Sequence, residues 1–267
     1  MNLVKAHAFG NDFLLLDENE APRDDRAALT RRLCDRHRGV GADGLILYKE
    51  SAEGARMDLL NADGSYSEVS GNGVRCLAAW LATRRGLRAG ATLAIETDAG
   101  AKMLSLENVA ASTPGRLTFR ADMGHPEHLQ RRSIDVAGLP VEAITLRVGN
   151  PQCVVLGEVT MERLHGIAAK LAVHAAFPEG SNVELAAVEA PDRVRILIWE
   201  RGVGPTEASG TGACAAAVAA IAYGGAARDV QVVSPGGAQR VEWTDAGIFL
   251  TGWAEILFEA RWSAPIV

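Results

Sequence analysis

The 267-residue chain predicts an α+β fold of two pseudo-symmetric, duplicated domains, each a mixed or antiparallel curved sheet, barrel-like, around a central helix. Three observations predict it. A tetrapeptide recurs, Ser70-Gly71-Asn72-Gly73 and Ser209-Gly210-Thr211-Gly212, and each copy opens an apolar stretch that reads as a buried helix. Other blocks repeat at the same 139-residue offset: Gly10-Asn11 falls on Gly149-Asn150, Asp43 on Asn182 and Asn61 on Glu200, each beside a strand-like run. A period this long marks a duplicated domain, not a solenoid. The segments after each helix are short, alternating and turn-punctuated, the pattern of mixed or antiparallel strands, and such sheets around an enclosed helix define α+β.

In the first half, residues 13–16 read as a strand and 25–37 as an amphipathic helix with Ala28, Leu29, Leu33 and Cys34 on one face. Strands come next at 45–47 and 57–60, then the helix 74–85, then strands at 92–97, 102–106 and 116–123. The second half repeats the plan with strands at 153–156, 183–185 and 196–199, and a helix at 160–174. Its helix 213–223 is almost wholly Ala, Cys, Val and Ile, which only an enclosed helix can be. Gly224-Gly225 stops it, and strands at 230–233 and 249–251 come after. The segment 255–262 has no partner at the 139 offset and is assigned to the first domain's sheet. The domains are therefore 1–114 plus 255–267, and 115–254, with a boundary near Thr113-Pro114-Gly115.

A chain this long with 48% hydrophobic and 5% aromatic residues holds two cores. Net charge is −6 and no Lys/Arg run exceeds a pair, which argues against a nucleic-acid surface. The N-terminus carries no basic-then-apolar signal and no apolar run nears the ~20 residues of a membrane span, so a cytoplasmic protein is expected. Cys34, Cys76, Cys153 and Cys214 are too scattered for a disulfide framework or a zinc site, and no metal is expected.

A helix start exposes unpaired N–H groups and the positive end of the dipole, so it suits an anion. Flanking glycines let a ligand reach the backbone. Two such mouths could hold a small carboxylate with Ser70 on one face of its α-carbon and Ser209 on the other. One Ser-Gly turn alone is most simply an N-cap; two in register favour function. Gly39-Val40-Gly41-Ala42-Asp43-Gly44 fits a dinucleotide fingerprint in letters only, because a helix precedes it and a strand comes after. Glu200-Arg201 has a solvated-pair reading, and Asn11, Asn150 and Asn182 a turn reading. Their matched places before or beside the two mouths favour polar groups converging on one ligand.

These residues together resemble the diaminopimelate epimerase family over essentially the whole chain. The resemblance is carried by His7-Ala8-Phe9-Gly10-Asn11-Asp12-Phe13, by Asp35-Arg36-His37-Arg38-Gly39-Val40-Gly41-Ala42-Asp43-Gly44 and by Asn61-Ala62-Asp63-Gly64-Ser65. Gly71-Asn72-Gly73-Val74-Arg75-Cys76, Gly149-Asn150-Pro151, Glu200-Arg201-Gly202 and Gly210-Thr211-Gly212-Ala213-Cys214 continue it. It implies two pseudo-symmetric halves, no cofactor, and interconversion of LL- and meso-diaminopimelate by two cysteines on opposite faces, in lysine and cell-wall biosynthesis. It also makes a homodimer an expectation. By position, Ser70 and Ser209 fall on the acid/base sites. Gly71, Asn72, Gly210 and Thr211 fall on the α-carboxylate site, and Asn11, Asp43, Asn61, Asn150, Asn182, Glu200 and Arg201 would hold the substrate, Arg201 taking the distal carboxylate.

Two departures bear on chemistry. The family has Cys where this chain has Ser70 and Ser209, and usually His where it has Gln152. A thiol with a reference pKa near 8.5 yields some thiolate at neutral pH, whereas a serine hydroxyl is a far weaker acid. Cys76 cannot stand in for Ser70, since six helical residues separate them by about 9 Å. Three readings stay open: an epimerase whose two thiols were changed to serine, a relative with proline racemase-like or dehydratase chemistry, or a non-catalytic amino-acid-binding protein.

Overall fold

The computed structural model describes residues 1–22, 24–68, 70–109 and 115–263. The chain divides into two compact units, Met1–Ala121 with Gly252–Val267, and Asp122–Thr251. Of the boundary expected at Thr113-Pro114-Gly115, Thr113 and Pro114 lie outside the described residues.

The first unit begins with β1 (Asn2–Ala8) and β2 (Asn11–Asp17), then α1 (Arg26–Cys34), β3 (Gly44–Glu50), β4 (Gly54–Asn61) and the short β5 (Tyr66–Ser67). Next come α2 (Gly71–Arg85), β6 (Thr92–Thr97), β7 (Gly100–Val109) and β8 (Arg116–Asp122). The second unit holds β9 (Glu127–Val136), β10 (Leu139–Val148), β11 (Asn150–Leu156), a composite helix α3 (161–172), β12 (Asn182–Ala190), β13 (Arg193–Glu200) and β14 (Gly204–Thr206). It continues with α4 (Gly210–Tyr223), β15 (Asp229–Ser234), β16 (Gly237–Thr244) and the start of a long final strand, β17 (Gly247–Arg261), which belongs to the first unit from Gly252 on.

In the first unit the sheet closes on itself. The order β1-β2-β3-β4-β6-β7-β8 returns to β1 through β17, whose Glu255–Arg261 portion pairs antiparallel with Asn2–His7. Closure leaves no long unpaired edge, the usual way a sheet avoids association. β2 and β3 are parallel, which requires a crossover, and α1 supplies it. α1 packs outside with Leu29 and Leu33 against Leu14, Leu16, Leu45 and Leu47, while α2 lies inside, buried from Asn72 to Ala82. Both faces of β2 and β3 are therefore covered, and both strands read as continuous apolar runs instead of alternating ones.

The second unit repeats the plan. Its ring runs β9-β10-β11-β12-β13-β15-β16-β17. It closes where Ile248 exchanges backbone hydrogen bonds with Met123 (2.8 Å) and Gly124 (2.7 Å), just before β9. α4 fills the interior, with Ala213 through Ala220 all 0% exposed against Ile144, Val154, Ile196, Val230 and Leu250. Alanines let a helix fit inside so narrow a ring; the bulk comes from strand Val and Ile.

Three sequence expectations change. The helix expected over 25–37 stops at Cys34, because the chain turns back and the N–H groups of Val40 (2.9 Å) and Gly41 (3.0 Å) both donate to Leu33 O. The helix expected over 160–174 is not a single α-helix: a π turn at Leu164–Ala168, with the Ala169 N–H donating to Leu164 O, separates Met161–Arg163 from Ala169–Ala172. Gly166, a poor helix former, sits within that turn. Finally, the repeat is not gapless. β2 and β4 map onto β11 and β13 at an offset of 139, but Phe13 pairs with Gly44 while its counterpart Gln152 pairs with Asn182. Asn182 is thus the register counterpart of Gly44, not of Asp43, because the second crossover is one residue shorter.

Candidate active site

In each unit the motif serine caps the central helix. Ser70 has extended backbone (φ −131°, ψ 122°) and its Oγ accepts the Gly73 N–H at 3.1 Å. Ser209 matches it (φ −137°, ψ 130°), accepting the Gly212 N–H at 3.1 Å. The cap satisfies the third helical N–H, and the carbonyls of Ser70 and Ser209 take the fourth, from Val74 and Ala213. The first two N–H groups, those of Gly71-Asn72 and Gly210-Thr211, have no acceptor within their own helix. They carry the positive end of the dipole, and at Gly71 an added Cβ would meet nothing within 4 Å. Such a mouth can take a carboxylate.

The first unit sets its amides by a chain of hydrogen bonds. Arg75, buried inside α2, donates to Asn72 Oδ1; Asn72 Nδ2 donates to Asn11 Oδ1 at 3.2 Å; Asn11 Nδ2 donates to Asp43 Oδ2 at 2.7 Å. Each donor fixes which end of the next amide carries oxygen. A two-residue hairpin turn delivers Asn11: Phe9 (φ 54°) and Gly10 (φ 90°) are both left-handed, as type I′ geometry requires, and Ala8 pairs with Asn11. Asp43 also accepts from Arg36 at 2.9 Å, and its carbonyl takes the Ala62 N–H, which brings the Asn61 turn alongside. Asn61 turns its amide to Ser65 Oγ, 3.0 Å away.

In the second unit Asn182 Oδ1 accepts the Arg201 N–H at 2.9 Å, and the Arg201 guanidinium donates to the Glu179 carbonyl. Gln152, fully buried, donates through Nε2 to Asn150 Oδ1 at 2.5 Å. Thr211 Oγ1 stands 3.4 Å from Ser209 Oγ. Glu200 ends β13 and acts electrostatically on Glu184, a strand residue that sequence reasoning passed over. Burial, and then the Glu200 charge, push the Glu184 carboxyl well above its ordinary range. The available signal was an acid inside the apolar run 183–185.

The four cysteines are all buried and free. Burial pushes Cys34 and Cys153 up to about 12 and Cys76 higher still, so none of these three is a ready thiolate. Among the described residues no cluster of three His, Cys, Asp or Glu is placed to hold a metal, and no helix is long and apolar enough to cross a membrane.

Sheets closed around a capped central helix, two to a chain, are the fold of solved racemase, epimerase and phenazine biosynthesis structures. Solved structures of the same fold include a hydroxyproline epimerase from Agrobacterium vitis with bound trans-4-hydroxy-L-proline (TM-score 0.69, 15% identity, 97% of this chain and 91% of that one). A phenazine biosynthesis protein from Bacillus anthracis shares it as well (TM-score 0.72, 15% identity, 97% and 98% covered). Sequence carries the assignment further. The diaminopimelate epimerase family profile matches residues 3–129 and 144–257. The diaminopimelate epimerase of Desulforudis audaxviator is 42% identical over 98% of this chain and 99% of its own length, and that of Xanthomonas campestris 39% over 98% and 96%. The chain belongs to the diaminopimelate epimerase family and is an isomerase of the epimerase type.

Proposed function

We propose that this protein interconverts LL- and meso-diaminopimelate without a cofactor, by two-base proton transfer at positions 70 and 209, and that serine at both makes this form slow or inactive. The observation that supports it is the pair of matched helix mouths, each capped by its serine at 3.1 Å, in a member of this family. The α-carboxylate would sit on the N–H groups of Gly71, Asn72, Gly210 and Thr211. There the same donors stabilise the negative charge that builds up as the α-proton leaves. One group removes that proton, its electron pair delocalises into the carboxylate, and the group on the other face supplies a new proton. Asn11, Asn61, Asn150, Asn182 and Glu200 would orient the substrate. Arg201 would take the distal carboxylate, a choice that separates diaminopimelate from a proline-like substrate, which has none. The reading carries with it a place in lysine biosynthesis, a cytoplasmic location and a homodimer.

Serine limits the rate because a hydroxyl gives almost no alkoxide at neutral pH. Incubation with LL-diaminopimelate in D2O tests this. The Ser70→Cys/Ser209→Cys protein is expected to exchange and invert the α-hydrogen roughly 10²–10⁴-fold faster than the chain as it stands. A folded, ligand-binding double variant that neither exchanges nor epimerises would sink the epimerase reading. Ordinary turnover by the unmodified chain would sink the claim about serine.

A further inference from the structure

The second unit's helix mouth holds an acid that the two-base scheme does not use. Glu184, on β12, is 0% exposed and faces α4. Its Oε1 lies 2.6 Å from the point where a Cβ on Gly212 would stand, and Ser209 Oγ lies 3.2 Å from that same point. Neither carboxyl oxygen has a hydrogen-bond partner. A buried carboxylate with no side-chain donor and no cation is costly, and this outweighs the pull of its own backbone N–H, so the protonated form is favoured. The titratable groups around it work the same way. Glu200 on β13 adds like charge, and Cys153 on β11 has its thiol raised by burial and by Glu184. Along Gly210–Tyr223, α4 carries no charged side chain and one buried thiol, Cys214.

Among the described residues the first unit shows nothing comparable. Counted along the strand ladders, Ile46 is the counterpart of Glu184 and Phe13 that of Gln152. Side-chain contacts agree: Ile46 Cδ1 stands 3.0 Å, and Phe13 Cζ 3.6 Å, from where a Cβ on Gly73 would be. One mouth is backed by hydrocarbon and the other by an acid.

We propose that Glu184 is a positioning residue that keeps a proton in reserve beside position 209 and exchanges it with the acid/base group there, so that the two proton-transfer positions are chemically inequivalent. Its use in turnover rests on the two-base reading; its existence does not. When the group at 209 gives its proton to the substrate carbon, the Glu184 O–H gives its own to that group and becomes a carboxylate. In the opposite direction the carboxylate takes the proton back as the group at 209 removes one from carbon. Protons balance within the pair, and no oxidant, reductant or co-reactant is needed.

Thiols at both positions make the pair visible. The Ser70→Cys/Ser209→Cys protein is alkylated with iodoacetamide across pH 5–11, and the peptides carrying residues 70 and 209 are quantified separately by mass spectrometry. With Glu184 present, the residue-209 thiol is expected to titrate in two coupled steps, with a midpoint about one pH unit above the single-step residue-70 thiol. Adding Glu184→Gln should collapse the residue-209 profile to one step and raise its reactivity at pH 8 about tenfold, leaving residue 70 unchanged. Equal single-step profiles at the two positions with Glu184 in place, or an unchanged residue-209 profile in the Gln protein, would overturn the proposal. If the Gln protein fails to fold, the contrast between the two positions in its parent decides. Because alkylation needs no turnover, the inference can fail while the epimerase reading stands, and the reverse.

Discussion

Asp12 lies beneath the first unit's amide chain, 8% exposed, between Lys5 at 2.5 Å and a two-pronged Arg36 at 2.7 and 3.1 Å. Burial by itself would raise its pKa, but hydrogen bonds from Arg36 and Lys5 outweigh that and hold it at about 2. A carboxyl depressed in the folded state stabilises the protein fully above its unfolded pKa, near 3.9, and loses that contribution as pH falls towards 2. The contribution is about 2 kcal/mol. Asp12→Asn should cost about 3–5 kcal/mol at pH 7, since it leaves the Lys5 ammonium buried without its carboxylate. It should also flatten the fall in stability between pH 5 and 2.5. Urea unfolding at several pH values checks both, and parallel pH slopes for the two proteins would contradict the assignment. Neither this network nor Glu184 was legible from residue identity: an acid in an apolar run shows only that something is odd, and its partners lie one strand or one helix away. What the sequence does single out are the turns that carry Ser70, Ser209, Asn11 and Asn150, because these recur at one offset.

The two central helices share a capping turn but differ in what stands behind it. At Gly212 an added Cβ would meet buried Glu184 Oε1 at 2.6 Å, and at its counterpart Gly73 it would meet Ile46 Cδ1 at 3.0 Å, whereas at Gly71, two residues earlier in the turn, it would meet nothing. Gly212→Ala should therefore destabilise by about 1–3 kcal/mol. Gly71→Ala should leave stability unchanged or raise it by about 0.5–1 kcal/mol, since alanine loses less backbone entropy in a helix. If a ligand carboxylate rests on the Gly71 N–H, that same methyl should weaken diaminopimelate binding with no loss of melting temperature. Thermal melts with calorimetry separate the two effects, and a destabilised Gly71→Ala protein would refute the open-space argument. Helix starts and the β2/β11 and β4/β13 matches were legible at the 139 offset because turn residues punctuate them. The one-residue slip at β3/β12 was not. It falls in a crossover with no required length, ahead of strands buried on both faces, where hydrophobic pattern cannot report register.

At the scale of the whole chain, the repeat is permuted. The first unit's ring is closed by Glu255–Arg261 against β1, and the second's by β9 against β10, so corresponding strands stand at the far C-terminus and in the middle of the chain. This is why 255–262 has no partner at the 139 offset: its counterpart precedes the second repeat instead of ending the first. The first unit therefore cannot complete itself as it is synthesised. Without the last strand, β1 and β8 each present an unpaired edge, and half-buried Trp253, which packs on Phe9 at 4.4 Å and under Arg116 at 4.1 Å, is missing. Residues 1–121 expressed alone should accordingly be aggregation-prone, without a cooperative melt. The same residues joined by a flexible linker to 252–267 should fold, with a single thermal transition and the near-ultraviolet signal of an ordered Trp253. Cooperative folding of 1–121 by itself would show that ring closure is dispensable, and failure of the joined chain would show that β17 stabilises the first unit only while it is anchored in the second.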